Sequence, residues 1–114
     1  MNIEQYREYC ISKKGVTEDA PFDDTSLVFR IGGKIFVLLD LEEMRINLKC
    51  DPEKAIRIRE EYPVVQTGYH MNKKHWNTVP LNLISEDLLK EWTDHSYDLV
   101  FEKLPQTIKM ELSK

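Results

Sequence analysis

From Tyr62 through Ser85 the chain carries no aspartate or glutamate, although acids are frequent on both sides of that window. Within it, the run Gly68-Tyr69-His70-Met71-Asn72-Lys73-Lys74-His75-Trp76-Asn77-Thr78 gathers two lysines, two histidines, two asparagines and two large aromatics. Each of these types suits contact with nucleic acid. Lysine ammonium groups pair with phosphate oxygens, asparagine amides hydrogen-bond to phosphates or base edges, and the rings of Tyr69 and Trp76 offer flat faces for stacking. The strip nominated in this way is Tyr69, His70, Asn72, Lys73, Lys74, His75, Trp76 and Asn77. An ordinary reading stands beside it: large aromatics are highly buried on average, and adjacent lysines commonly mark a solvated loop.

Other reactive residue types do not assemble into a catalytic or metal-binding pattern. His70 and His75 stand five apart, which is not the i, i+4 spacing of two helical metal ligands. Cys10 and Cys50 lie far apart with no CxxC pair, as expected of reduced thiols rather than a disulfide or zinc knuckle. Gly32-Gly33 has no following lysine or helix and therefore reads as a turn, not a phosphate loop. Asp23-Asp24 and Glu42-Glu43 fall in expected loops and read as solvated charges. Asp94, His95 and Ser96 are consecutive, so on a helix they point in different directions and form no triad among themselves. No catalytic residue, metal site or cofactor is expected, which favours a binding module over an enzyme. A small-ligand site in which His70 or His75 moves protons is the enzymatic alternative.

The elements that must position the strip follow from patterning. Asn2 and Gln5 form a capping-box pair ahead of Ile3, Tyr6 and Cys10 at helical spacing, with Gly15 ending the segment. Leu27–Ile31 and Lys34–Leu39 are β-rich runs joined by Gly32-Gly33, the signature of a tight hairpin. Arg45-Ile46-Asn47-Leu48-Lys49 alternates, with Ile46 and Leu48 toward a core and Arg45, Asn47 and Lys49 toward water. Asp51-Pro52-Glu53 starts a second helix, which carries Ala55, Ile58 and Tyr62 and ends at Pro63. Val64 to Gly68 reads as connection, and His75 to Leu81 as a strand in which Pro80 signals an edge or an ending. Ser85 caps a long helical region running to Leu104, which the polar patch Thr93-Asp94-His95-Ser96 could split into two helices with a kink. The tail after Pro105 carries no strong signal. This order predicts an α+β fold in two layers, an antiparallel sheet with helices packed on one face and the other face left open.

Length and charge are consistent with that reading. At 114 residues one domain covering 1–114 is the default. The longest apolar stretch, Ile35 to Leu39, is far too short to span a bilayer, and no signal-peptide pattern opens the chain. The expectation is a cytoplasmic protein with no membrane partner. A formal net charge of −4 makes the whole-molecule field repel polyanions. Screening over about 8 Å still leaves room for a local basic patch.

Several blocks together resemble the MmcQ/YjbR family of small bacterial proteins over nearly the whole length. They are Ala20-Pro21-Phe22-Asp23, Val28 to Lys34, Ile46 to Glu53, Gly68 to Val79, and Ser96-Tyr97-Asp98-Leu99-Val100. The resemblance implies an antiparallel sheet with helices packed on it, similar to the CyaY-like and type III secretion chaperone-like folds. It also implies DNA binding by a "double wing" arrangement. The chain departs from the family pattern in its tail, where only Lys109 and Lys114 are basic, and at Phe101-Glu102, where smaller apolar residues are expected.

The functional expectation is a nucleic-acid-binding module, DNA in particular. Lys73 and Lys74 contact phosphates, Asn72 and Asn77 hydrogen-bond, and Tyr69 or Trp76 stacks. Lys49, with Asn47 and Arg45, extends the surface on the neighbouring strand. The alternative is a protein-interaction module acting through the open sheet face, with Tyr69 and Trp76 as anchors.

Overall fold

The computed structural model describes residues 1–69 and 71–114, every position except His70. Helix α1 (Ile3–Ser12) opens on the expected capping box. Asn2 Oδ1 accepts from Gln5 N at 2.7 Å, and Gln5 Oε1 accepts from Asn2 N at 3.1 Å. Strands β1 (Val16–Asp19), β2 (Ser26–Ile31), β3 (Lys34–Asp40) and β4 (Arg45–Lys49) follow. After them come α2 (Pro52–Glu61), β5 (Gln66–Thr67), β6 (Trp76–Pro80), α3 (Glu86–Glu102) and α4 (Gln106–Leu112). The six strands form one antiparallel sheet in the order β1-β2-β3-β4-β6-β5. The α+β architecture expected from the patterning is the one observed.

Gly32 and Gly33 turn the β2–β3 hairpin with φ of +59° and +82°, left-handed values that a two-glycine turn accommodates without strain. A Cβ at Gly32 would also lie 2.7 Å from Leu104 Cδ1, so the turn packs directly on Leu104, two residues beyond α3. The pairing slips once: Phe29 faces Val37 while Arg30 faces Ile35, leaving Phe36 as the bulged residue. Phe36 and Val37 are consequently both buried, and the Phe36 ring meets Tyr97 of α3 edge-on at 5.4 Å.

Register assigns the two faces. Phe29, Val37, Leu39, Ile46, Leu48, Asn77 and Val79 are linked by direct pairing and point to the helices. There they meet Tyr6 and Cys10 of α1, Ala55 and Ile58 of α2, and Leu89, Trp92 and Val100 of α3 in one core. The opposite face carries the aligned row Val28, Leu38, Asn47, Thr78 and Gln66, flanked by the row Ser26, Asp40, Arg45 and Pro80.

Four details differ from the sequence-based expectations. Val16–Asp19 is a strand although half its residues are acids of low strand preference. Pairing with β2 holds it, as does a two-pronged bond from Arg7 to Glu18 at 2.7 and 2.8 Å. Gln66–Thr67, read as connection, pairs with β6 as the short edge strand β5, while Pro80 marks the end of β6, one of its two expected meanings. The tail forms α4, stabilised by Ile108 against the Gly32 turn and Leu112 against Gly15. Finally, α3 is a single helix of 17 residues. Its polar patch is absorbed by other elements, because Thr93 Oγ1 shares a hydrogen bond with Tyr6 Oη at 2.8 Å and Ser96 Oγ donates to Phe36 O at 2.6 Å. Among the described residues no helix is long and apolar enough to cross a membrane.

Arg7 also sets a pH dependence. Its hydrogen bonds, and then its charge, hold the Glu18 carboxyl below the usual carboxylate range against the opposing effect of burial. A carboxyl whose folded pKa is depressed stabilises the fold above its unfolded pKa, about 4.3, and loses that contribution as pH falls through the folded value. Wild type is therefore expected to unfold at a higher temperature than Glu18→Gln at pH 7, with the two melting curves converging in acid. A gap that persists unchanged to pH 2 would contradict this role for the pair.

Candidate binding site

The described residues between Gly68 and Trp76 lie at the end of the sheet, between β5 and β6. Gly68 fits against Trp76 by its smallness. A Cβ there would stand 2.7 Å from Trp76 Cβ, and Gly68 N donates to Trp76 O at 2.8 Å. Asn72 closes the tip: its Oδ1 accepts from Lys74 N at 2.9 Å and His75 N at 3.1 Å, a side-chain turn typical of asparagine. Lys73 and Lys74 are exposed at that tip, and His75 and Trp76 are half-buried. His70 lies outside the described residues.

Tyr69 sits apart from the lysine tip, over the open face. Its ring is 51% exposed and lies under the Arg45 guanidinium at 4.5 Å, a cation–π contact. Its backbone N donates to Thr78 Oγ1 at 2.9 Å and Asn47 Oδ1 at 3.2 Å, and Thr78 Oγ1 donates to Asn47 Oδ1 at 2.6 Å. Asn47 therefore faces the open side as its strand alternation predicts, but it is covered by the Tyr69 segment and is not available to a ligand.

Asn77 requires a correction. It is only 2% exposed and points into the helix layer, because its register partner is Leu48. Its Oδ1 accepts from Arg59 Nη1 at 2.6 Å and its Nδ2 donates to Ala55 O at 3.3 Å, so it fastens α2 to the sheet. Lys49 pairs in register with Trp76, at the same end of the sheet as the lysine tip, and its ammonium lies near Lys103. The strip thus divides into an exposed lysine tip, a tyrosine on the open face and a buried asparagine.

The open face contains a groove that sequence reasoning did not find. A cavity of about 300 Å³ is walled by Asp23, Asp40, Glu42, Glu43, Arg45 and Tyr69. A second concavity of about 200 Å³ shares Glu43 and Arg45 and continues to Val64, Gln66 and Thr78. The acids that read as loop charges are brought together by the strand register. Ser26 pairs with Asp40, and Leu41 N donates to Thr25 O at 2.8 Å, which places Asp23 beside the β3–β4 turn. Asp40 Oδ1 holds that turn by accepting from Glu42 N and Glu43 N, while its Oδ2 lies 3.4 Å from Arg45 Nε. That separation makes an ion pair without an aligned hydrogen bond, leaving Arg45 Nε a buried donor with none. The hairpin register was the signal that would have located this site.

The thiols are buried and His95 is held by the backbone. Burial pushes the Cys10 thiol up to about 12 and the Cys50 thiol up to about 11. Both remain protonated near neutral pH and are poor nucleophiles. His95 Nε2 accepts from Asp51 N at 3.2 Å, and burial, reinforced by Lys54, lowers its pKa.

Comparison with known proteins places this arrangement. The YjbR family model matches residues 11–99. The chain belongs to the YjbR family. It is 47% identical over 89 residues to the Escherichia coli O157:H7 protein YbdF, covering 74% of this chain and 71% of that protein. It is 28% identical over 109 residues to YjbR of Escherichia coli K12, covering 93% of this chain and 92% of the other. Among solved structures, the Deinococcus radiodurans protein DR2400, with a DUF419 domain, superposes with a TM-score of 0.91 at 35% identity. That match covers 98% of this chain and 88% of its own. A Pseudomonas syringae protein superposes with a TM-score of 0.75 at 28% identity, covering 88% of this chain and 99% of its own. These names state neither ligand nor reaction.

The division of the strip has a measurable consequence. Asn77→Ala removes the acceptor of the Arg59 guanidinium and the side-chain donor to the Ala55 carbonyl, and is expected to cost about 2 kcal/mol in denaturant unfolding. Lys73→Glu/Lys74→Glu is expected to leave the midpoint unchanged. Equal stability of Asn77→Ala and wild type would return Asn77 to the candidate ligand contacts.

Proposed function

We propose that the chain is a non-catalytic binding module that docks an extended, cationic segment of a partner protein along its open sheet face. The observation that carries this reading is the groove shared by Arg45 and Tyr69. Four carboxylates on its walls face one guanidinium, and a half-exposed tyrosine stands on its rim. Tyrosine and arginine are the residue types that most often anchor interfaces. The acid excess selects a basic partner by charge complementarity. The sheet edges suit this mode less well, since β1 has four residues and β5 two, too short to template an added strand.

A partner captured by the wild-type chain after nuclease treatment is expected to bind Tyr69→Ala about 30-fold more weakly, an anchor loss of about 2 kcal/mol. Lys73→Glu/Lys74→Glu should bind it as well as wild type does. If the Tyr69 substitution leaves capture unchanged, the groove is not the docking site.

Exposure of Lys73 and Lys74 beside Trp76 favours a second reading, binding of nucleic acid, DNA in particular, at the end of the sheet. Arg45 no longer counts toward it, because Asp40 and Tyr69 engage its guanidinium. With Lys49, Lys73 and Lys74 on phosphates, log K for a DNA oligonucleotide falls with log salt at a slope of about −2.7. Lys73→Glu/Lys74→Glu should reduce that slope by about 1.8. A slope near zero, or one the double substitution leaves intact, would eliminate this reading.

A further inference from the structure

We propose that the cavity bounded by Lys34, Lys49 and Lys103 is a binding site for a small phosphate monoester that carries an apolar or aromatic group. The cavity measures about 290 Å³, and the rest of its lining is Ile35, Val100 and Leu104. It lies at the end of the sheet away from the Arg45–Tyr69 groove, so it is a second site, independent of the docking surface proposed above.

Three separate elements deliver the three cations, and each is held in place. Lys34 opens β3 directly after the Gly32-Gly33 turn, and that turn is packed against Leu104. Lys49 closes β4, where its backbone N donates to Ser96 Oγ of α3 at 2.9 Å. Lys103 is the C-cap of α3. The packed core therefore fixes the backbone positions of all three, from which the Lys34 and Lys103 side chains extend exposed and that of Lys49 half-buried.

The charges are unbalanced. No carboxylate lines the cavity among the described residues, and none of the three ammonium groups is in an ion pair there, whereas Lys13, Lys109 and Lys114 each have one. Glu102, next to Lys103 in sequence, is paired with Lys109 at 3.7 Å. The C-terminus of α3 attracts cations, but a helix end carries only about half an elementary charge. That leaves an excess of roughly two and a half positive charges over an apolar floor. A phosphate monoester near neutral pH brings between about −1.5 and −2. It matches the excess far better than a monovalent anion does, and its organic group would cover Ile35, Val100 and Leu104. Burial and the neighbouring Lys103 charge already lower the Lys49 pKa, which is the strain a bound anion relieves.

The probes are phenyl phosphate, inorganic phosphate and phenol, titrated into the full chain and followed by amide NMR. Phenyl phosphate is expected to give saturable shifts at Lys34, Lys49 and Lys103, and inorganic phosphate to bind there about tenfold more weakly because it leaves the apolar floor uncovered. Phenol should give none. Lys49 should titrate at higher pH with phenyl phosphate bound than without it, a change that a purely structural lysine cluster would not show. Lys49→Gln/Lys103→Gln should weaken phenyl phosphate at least tenfold while the core signals stay in place, and Tyr69→Ala should leave it unaffected. Shifts no larger at the three lysines than at Lys73 and Lys74 would reduce the effect to counterion association and overturn the site. Equal affinity for phenyl and inorganic phosphate would overturn the ligand class. Response to a DNA oligonucleotide but not to phenyl phosphate would also overturn it, assigning the lysines to a phosphodiester backbone.

Discussion

The Ser96 hydroxyl ties the backbone of two strands to the helix layer across the core. It accepts from Lys49 N, donates to the Phe36 carbonyl and is fully buried, so one side chain of α3 joins the bulge of β3 to the end of β4. Without it, two backbone groups would lie beside the core with no partner, at a cost of about 1–3 kcal/mol each. The bulge at Phe36 and the depth at which α3 sits both fit this bridge. The relation between Lys49 and Lys103 depends on it, because one residue belongs to the strand and the other to the helix that the hydroxyl connects.

Holding all four helices on one face leaves the other face to function. That face is organised by polar contacts: Asn47 and Thr78 grip the backbone of Tyr69, while Asp40 holds the β3–β4 turn and pairs with Arg45. The residues beneath the groove are thus fixed before a partner arrives, which lowers the ordering cost of binding. The lysine cavity is fixed by different means, through the hairpin turn, the Ser96 bridge and the cap of α3.

Much of the fold was legible in the sequence because its signals were local. The Asn2–Gln5 box, the two-glycine hairpin, the Asp51-Pro52 start and the Ser85 cap each depend on neighbours within a few residues, and each formed as read. The misses were long-range in cause. Val16–Asp19 becomes a strand only because β2 and Arg7 receive it, and α4, at seven residues too short to be stable alone, needs Gly15 and Gly32 to pack against. The candidate site was legible in part. Exposure of Lys73 and Lys74 followed from composition, whereas the burial of Asn77 followed from its pairing with Leu48, which no local pattern of residues 69–77 contains. The groove and the lysine cavity join residues far apart in sequence, so only the pairing register brings either into view.

Two clusters of opposite charge lie at opposite ends of β3. The strand runs from Lys34 to Asp40 over about 20 Å, with Lys49 and Lys103 beside its first residue and Asp23, Glu42 and Glu43 around its last. The two clusters are local features, since Asp51, Glu53 and Glu102 adjoin the lysines in sequence and Arg45 stands among the acids, in a chain of net charge −4. An approaching charged segment therefore meets fields of opposite sign at the cavity and at the groove, which sorts acids and bases between the two before contact. That sorting is a kinetic effect, and it fades as ionic strength shortens the reach of the field.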